Sequence, residues 1–236
     1  MLRKVLIPIA IVMVSISPAF ASDKPKIGVA EFRNDTSAGW WYGSAGTDLS
    51  GMLTNELAAT EKFRVVEREK LGHVLDEQDL GASGRVDKSS AAKIGKLTGA
   101  QYLVMGTLSA FQEHTSGGGG GLSFHGYSIG GSKNDAYMAV DLRVVDTTTG
   151  EVAFTRTVEA RASSYGVHGS GYVGGLSGGL GKYENTPTGK AIRACLMEIS
   201  DYLGCVMVDK NECVQEYKAK EDARKAKTKS SIKLDQ

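Results

Sequence analysis

Hydrophobic and polar positions alternate most regularly between Ala136 and Arg161. Ala136, Met138, Val140, Leu142 and Val144 share one face, and Tyr137, Asp141 and Arg143 share the other. The Asp146–Gly150 segment, DTTTG, supplies a turn. The descending arm then sets Val152, Phe154 and Val158 against Glu151, Thr155, Thr157 and Glu159. A period of two with one apolar face predicts an antiparallel hairpin packed on a core. Shorter apolar runs at Lys26–Phe32, Phe63–Val66 and Tyr102–Phe111 predict three further strands.

Helical spacing fills the intervals. Thr47–Ala59 carries Leu49, Met52, Leu53 and Leu57 on one face, and Glu69–Gln78 is built on Leu71, Val74 and Leu75. A third short helix is expected over Ser89–Thr98, ended by Gly99. Thr186 followed by Pro187 reads as an N-cap with proline at the first helical position. The helix after it points Ile192, Cys195, Leu196, Ile199 and Leu203 inward. From Asp209 the composition turns to Lys, Glu and Ala, with no aromatic residue after Tyr217, which predicts a solvated helix fading into a disordered tail. Strands and helices in this order predict an α/β fold, a mixed sheet covered by helices on at least one face.

Two glycine-rich inserts flank the hairpin. Gly117–Gly131 and Gly166–Gly181 hold 16 of the chain's 30 glycines, a density unsuited to a packed core. They read as segments that become ordered elsewhere, against a membrane or a neighbouring subunit. Leu122, Phe124, Tyr127, Ile129, Tyr165, Val167 and Tyr172 supply apolar and aromatic material for strands facing lipid. Glycines and the intruding His125 and His168 break the alternation, so mobile surface loops are the competing reading.

The first residues set the compartment. Arg3 and Lys4 precede a short apolar run, and Ala19-Phe20-Ala21 is a small-x-small cleavage site. The expectation is a secretory signal peptide over residues 1–21 and a mature chain from Ser22. The remaining length suits one domain with appendages. A formal net charge of +1 points to neither nucleic acid nor an acidic substrate. Cysteines stand at 195, 205 and 213. Cys205 and Cys213 lie about 12 Å apart along a continuous helix, too far for a disulfide. A bridge therefore requires a break at Asp209-Lys210-Asn211; without one both remain free thiols.

Catalytic signatures are weak. Gly169–Gly174 fits the letters of the GxGxxG dinucleotide fingerprint, but no helix signal follows and glycine continues to Gly181. The histidines at 73, 114, 125 and 168 have no ligand spacing, and neither CxxC, HExxH nor GxSxG occurs. Glu67 and Asp76-Glu77 read as surface acids. No enzyme site, cofactor or metal is predicted.

Four blocks in order carry a resemblance: VVEREKLGHVLDEQDLG (Val65–Gly81), LTGAQYLVMGTLSAF (Leu97–Phe111), VDLRVVDTTTGEV (Val140–Val152) and NTPTGKAIRACLMEI (Asn185–Ile199). Together they resemble the curli secretion channel (CsgG) family, which includes holdfast-anchoring homologues. The resemblance implies a ring of identical subunits in the outer membrane, each with a periplasmic α/β domain and two β-hairpins in a shared barrel. By position, residues 111–138 and 160–183 are the hairpins within a domain spanning 22–206, followed by the charged segment 207–236. Trp40, Trp41 and Tyr42 fall where family channels carry a narrowing loop, although the Asn34–Thr47 loop is short; an aromatic patch at a subunit contact is the other reading. Channel members carry lipid on the first mature cysteine. The first cysteine here is Cys195, so an exported, unlipidated protein is expected. The function implied is a homo-oligomeric secretion pore for a curli-like or adhesin polypeptide in the periplasm and outer membrane, with further copies of the chain and the exported polypeptide as partners. The alternative is a soluble periplasmic binding or regulatory module without a pore.

Overall fold

The computed structural model describes residues 23–117, 122–124, 127–168 and 186–232. The expected signal peptide, residues 118–121 and 125–126 of the first glycine-rich insert, residues 169–181 of the second and the last four residues lie outside them. The elements in order are β1 (Lys26–Val29), β2 (Arg33–Asn34), α1 (Ala45–Ala59), β3 (Arg64–Val65), α2 (Leu71–Ala82), β4 (Tyr102–Gly117), β5 (Leu122–Phe124), β6 (Tyr127–Asp146), β7 (Val152–His168), α3 (Pro187–Leu203), a π-helical turn (Gly204–Asp209) and α4 (Cys213–Ser231).

The sheet is mixed, in the order β3-β1-β4-β6, with β7 at the far edge, β2 beside β4 and β5 paired to the distal end of β6. The short N-terminal strands pair in parallel and the long β4, β6 and β7 pair antiparallel. Parallel neighbours need a crossover, which α1 supplies between β1 and β3. Helices α1 and α3 cover one face. The alternating set of β6 points into that layer, with Ala136, Met138, Val140, Leu142 and Val144 all at most 2 % exposed. Leu49, Leu53 and Leu57 of α1 and Ile192, Cys195, Leu196, Ile199 and Leu203 of α3 meet them. Glycine is required at Gly106, where a Cβ would stand 2.3 Å from the Phe32 ring.

Several expectations change in physical detail. The first strand is interrupted: Val29 pairs with Val104 and Arg33 with Thr107, so four steps on one strand match three on the other. The extra residue turns Phe32 into the core. Val152 is 51 % exposed because the pairing slips between Val144 and Val145, which re-aims the start of β7. No helix forms over Ser89–Thr98. The side chain of Asp87 accepts hydrogen bonds from the Ser89 backbone and hydroxyl, and Gly95 adopts a left-handed φ of 73° that interrupts any helical run. Without a buried face a segment this short has little to hold it helical. Helix α2 forms, yet its apolar face is not core: Val74 is 38 % and Leu75 45 % exposed, and Gln78 is its one buried residue.

The break required for a disulfide is present. Lys210 takes a left-handed φ of 49°, reversing the chain between the π-turn and α4. Cys205 and Cys213 are bridged, with Cα atoms 6.0 Å apart. The charged C-terminal segment is a continuous helix to Ser231.

Candidate functional site

Strands β4, β6 and β7 do not stop where the helices do. Among the described side chains, the last buried positions on the covered face are Ala136 of β6 and Ala160 of β7. Beyond Ala136, β6 continues back to Tyr127, about nine residues or roughly 30 Å at a normal strand rise. Its pairing stays in register throughout: Glu113 opposite Ala136, His114 opposite Asp135 and Gly117 opposite Ser132 on one side, Ala162 opposite Ala136 and His168 opposite Gly130 on the other. Leu122 pairs with Ile129 and Phe124 with Tyr127, continuing the β4 side of the ribbon. The sequence placed the hairpin between Ala136 and Arg161 and ended β4 at Phe111. Glycine broke the side-chain alternation beyond those points, but backbone pairing needs no side chains. Tyr165 and Val167 lie in β7 opposite Lys133 and Gly131, and Tyr172 is outside the described residues.

The base of the ribbon is polar and well tied. The Thr188 hydroxyl, in the first turn of α3, donates to the Glu113 carboxylate at 3.1 Å. Thr186 caps that helix by accepting from the Gly189 backbone at 3.1 Å. The ribbon's root and the start of α3 are thus joined where the second insert rejoins the body. On the open face, Arg161 lies over the Tyr137 ring at 4.9 Å. Burial, with Glu159 nearby, pushes the Tyr137 hydroxyl above its ordinary range. Tyr137 and Arg161 line a cleft of about 290 Å³ together with His114 and Asp135.

The aromatic trio divides. Trp40 is 4 % exposed and belongs to the core, tilted against Trp41 with ring centres 5.5 Å apart and edge-on to Phe111 at 5.8 Å. Placing Trp40 on a channel wall is therefore corrected: its indole fills the space between the loop and β4. Trp41 and Tyr42 are half-buried against it. The Tyr42 hydroxyl donates to Asp48 at 2.9 Å, fastening the loop to the first turn of α1.

Sequence reasoning missed Arg156. It occupies an inward position of β7, opposite Leu142, where an apolar residue would fit the alternation. Being on the edge strand, it reaches round to Glu198 at 3.9 Å and stacks on Tyr202 and Tyr217. A charged residue interrupting an inward apolar series was its signal. Cys195 beneath α3 is fully buried, and desolvation pushes its thiol up to about 12.

A cleft of about 500 Å³ on the open sheet face is lined by Glu31, Arg33, Asp35, Asp141 and Arg143. Among the described residues, no three His, Cys, Asp or Glu side chains converge as a metal cluster would. No helix of the described residues is long and apolar enough to cross a membrane, which says nothing of strands.

A family model described as curli production assembly/transport component CsgG matches residues 12–232. The chain belongs to the CsgG family. Curated CsgG proteins of Salmonella typhimurium and Escherichia coli K12 are 26 % identical over 157 residues, covering 63 % of this chain and 55 % of theirs. The chain thus spans about half the length of the CsgG relatives it matches. Among solved structures, it resembles a hypothetical protein of Chlamydia trachomatis with a TM-score of 0.43 and 13 % identity, covering 77 % of this chain and 96 % of the other. It also resembles a PelC dodecamer from Paraburkholderia phytofirmans with a TM-score of 0.35 and 11 % identity, covering 79 % and 88 %.

Proposed function

We propose that this CsgG-family chain is a subunit of a homo-oligomeric outer-membrane pore that exports a polypeptide, curli-like or an adhesin, from the periplasm. The observation that supports it is the ribbon: β6 runs about nine residues past Ala136, close to the length a barrel strand needs, with β4 paired to it as far as Gly117 and β7 as far as His168. One subunit supplies too few strands to close a barrel. An open edge cannot sit in hydrocarbon with its backbone groups unpaired. Membrane entry of residues 111–138 and 160–183 is therefore coupled to assembly, and glycine lets these segments adapt until subunits meet. Trp41 and Tyr42, on the loop leading into α1, remain candidates for the channel's narrowing or a subunit contact. The N-terminal signal segment delivers an unlipidated chain to the periplasm.

The test is fractionation of native protein followed by electron microscopy of the detergent extract. Rings in the outer-membrane fraction are expected. Phe124→Lys combined with Val167→Lys should abolish insertion while the soluble domain stays folded, since charge on a lipid-facing barrel position costs about 2–4 kcal/mol at the bilayer centre. Wild-type protein recovered as a soluble periplasmic monomer would replace the pore with a binding or regulatory module of the envelope.

A further inference from the structure

Two helices of this chain present uncovered faces, and they stand at opposite edges of the sheet. Strand β3 is one edge and β7 the other. Helix α2 follows directly on β3. Helix α4 is fastened beside β7, where Arg156 donates to the Tyr217 carbonyl at 3.0 Å. Among the described residues, α2 buries Gln78 alone and α4 buries nothing. Helices that isolated gain little from propensity and need packing.

Their uncovered faces match in shape and charge. Leu71, Val74 and Leu75 form an i, i+3, i+4 stripe on α2, with Val74 and Leu75 more than a third exposed. On α4, Tyr217, Glu221 and Arg224 face the body of the protein. Ala219, Ala223 and Ala226 form the opposite, exposed ridge. Small side chains there allow another helix to approach closely. Helix α2 carries Asp76, Glu77 and Asp79 and no lysine or arginine. Helix α4 carries six basic and three acidic residues, and Glu221, one of the acids, is held by Arg224 at 2.8 Å. Lys227 and Lys229 flank the alanine ridge on its two sides.

We propose that α2 of one copy docks on the alanine ridge of α4 of the next copy. This rests on the ring reading above and names the contact that builds the ring. Because the two patches differ and lie at opposite edges of the sheet, the contact is heterologous, the kind that propagates head to tail and closes into a ring. The apolar stripe meets the alanines, and Glu77 and Asp79, on the two sides of that stripe, meet the flanking lysines.

The experiment uses the full chain in detergent and follows assembly by sedimentation velocity, with circular dichroism to verify folding. Reversing one side, as Glu77→Lys with Asp79→Lys or as Lys227→Glu with Lys229→Glu, should raise the half-assembly concentration about ten-fold or more. Combining all four in one chain should restore assembly. A separate chain with Leu75→Cys and Ala223→Cys should give a ladder of covalent oligomers on oxidation. If wild-type protein assembles and the one-sided variants assemble equally well, or the four-fold variant gains nothing back, or assembled cysteine variants give no ladder, the α2–α4 contact is wrong while the ring stands. If wild-type protein never assembles, ring and contact fall together.

Discussion

The guanidinium carbon of Arg156 lies 4.7 Å from the centre of the Tyr217 ring, joining the edge strand of the sheet to the C-terminal helix. The same group stands 5.1 Å from the Tyr202 ring, and the two tyrosines meet edge-on at 5.2 Å. Glu198 completes the arrangement, bound also by Lys220 at 3.3 Å. Arg156 thus bonds to both α3 and α4; α4 has no fully buried residue, and its other ties are the Cys205–Cys213 bridge at its start, the half-buried Tyr217 ring and the Lys220–Glu198 pair. Burial pushes the Tyr217 hydroxyl up to about 12, so the rings stay neutral over the physiological range.

Arg156→Ala should release α4. A loss of about 1–3 kcal/mol is expected in urea unfolding, the scale of a charged hydrogen bond with cation–π contacts. Hydrogen exchange should show residues 213–231 losing protection while β6 keeps its own. Arg156→Lys should recover little of it, because a point-like ammonium cannot stack and donate in the same geometry. Unchanged protection in the alanine variant would mean α4 is held by other contacts.

Leu142 is 1 % exposed at the centre of the inward face, and its neighbour Asp141 points to solvent. Leu142→Ala should cost about 2–5 kcal/mol by chemical denaturation. Asp141→Ala should lie within about 0.5 kcal/mol of wild type, as for other surface positions. Similar costs for the two would contradict the alternation.

Reduction of the Cys205–Cys213 bridge opens a short loop and should lower stability by about 2.5 kcal/mol on the chain-entropy account. The Cys205→Ser, Cys213→Ser variant should show the same loss without reductant. Cys195 should resist thiol reagents in both, since its thiol is buried and pushed up to about 12. Rapid labelling of Cys195 in the folded protein would show that the α3–sheet interface opens.

Glu67 holds the turn into α2. Its carboxylate accepts from the backbone N–H groups of Arg68, Glu69 and Lys70 at 2.9, 2.9 and 3.0 Å. These bonds, that from Lys70 foremost, keep its carboxyl below the ordinary value of 4.5. A depressed folded-state value means the stabilisation is complete above pH 4.5 and is lost as pH falls below it. Glu67→Gln should therefore destabilise the protein near neutrality and show a shallower loss between pH 5 and pH 3 in thermal melts. Parallel acid limbs for the two proteins would count against this role.

The alternation of Ala136–Val144, the capped start of α3 at Thr186-Pro187 and the apolar face of α1 were legible because each is a local pattern meeting a single core. The sequence also bounded the disulfide, since a bridge over eight residues demands a reversal and Asp209-Lys210-Asn211 is turn chemistry. It named the family through blocks of ordinary fold-forming residues.

Tertiary structure decided what local patterns leave open. The stripe Leu71, Val74 and Leu75 reads identically whether a helix faces its own core or another surface, and only the assembled layers show it left uncovered. The strands run past Ala136 because hydrogen-bonded backbone continues where glycine erases the side-chain code. Arg156 looked like an interruption of an apolar series. On an edge strand it can leave the core and meet Glu198, Tyr202 and Tyr217, residues 42 to 61 positions away that only folding brings beside it.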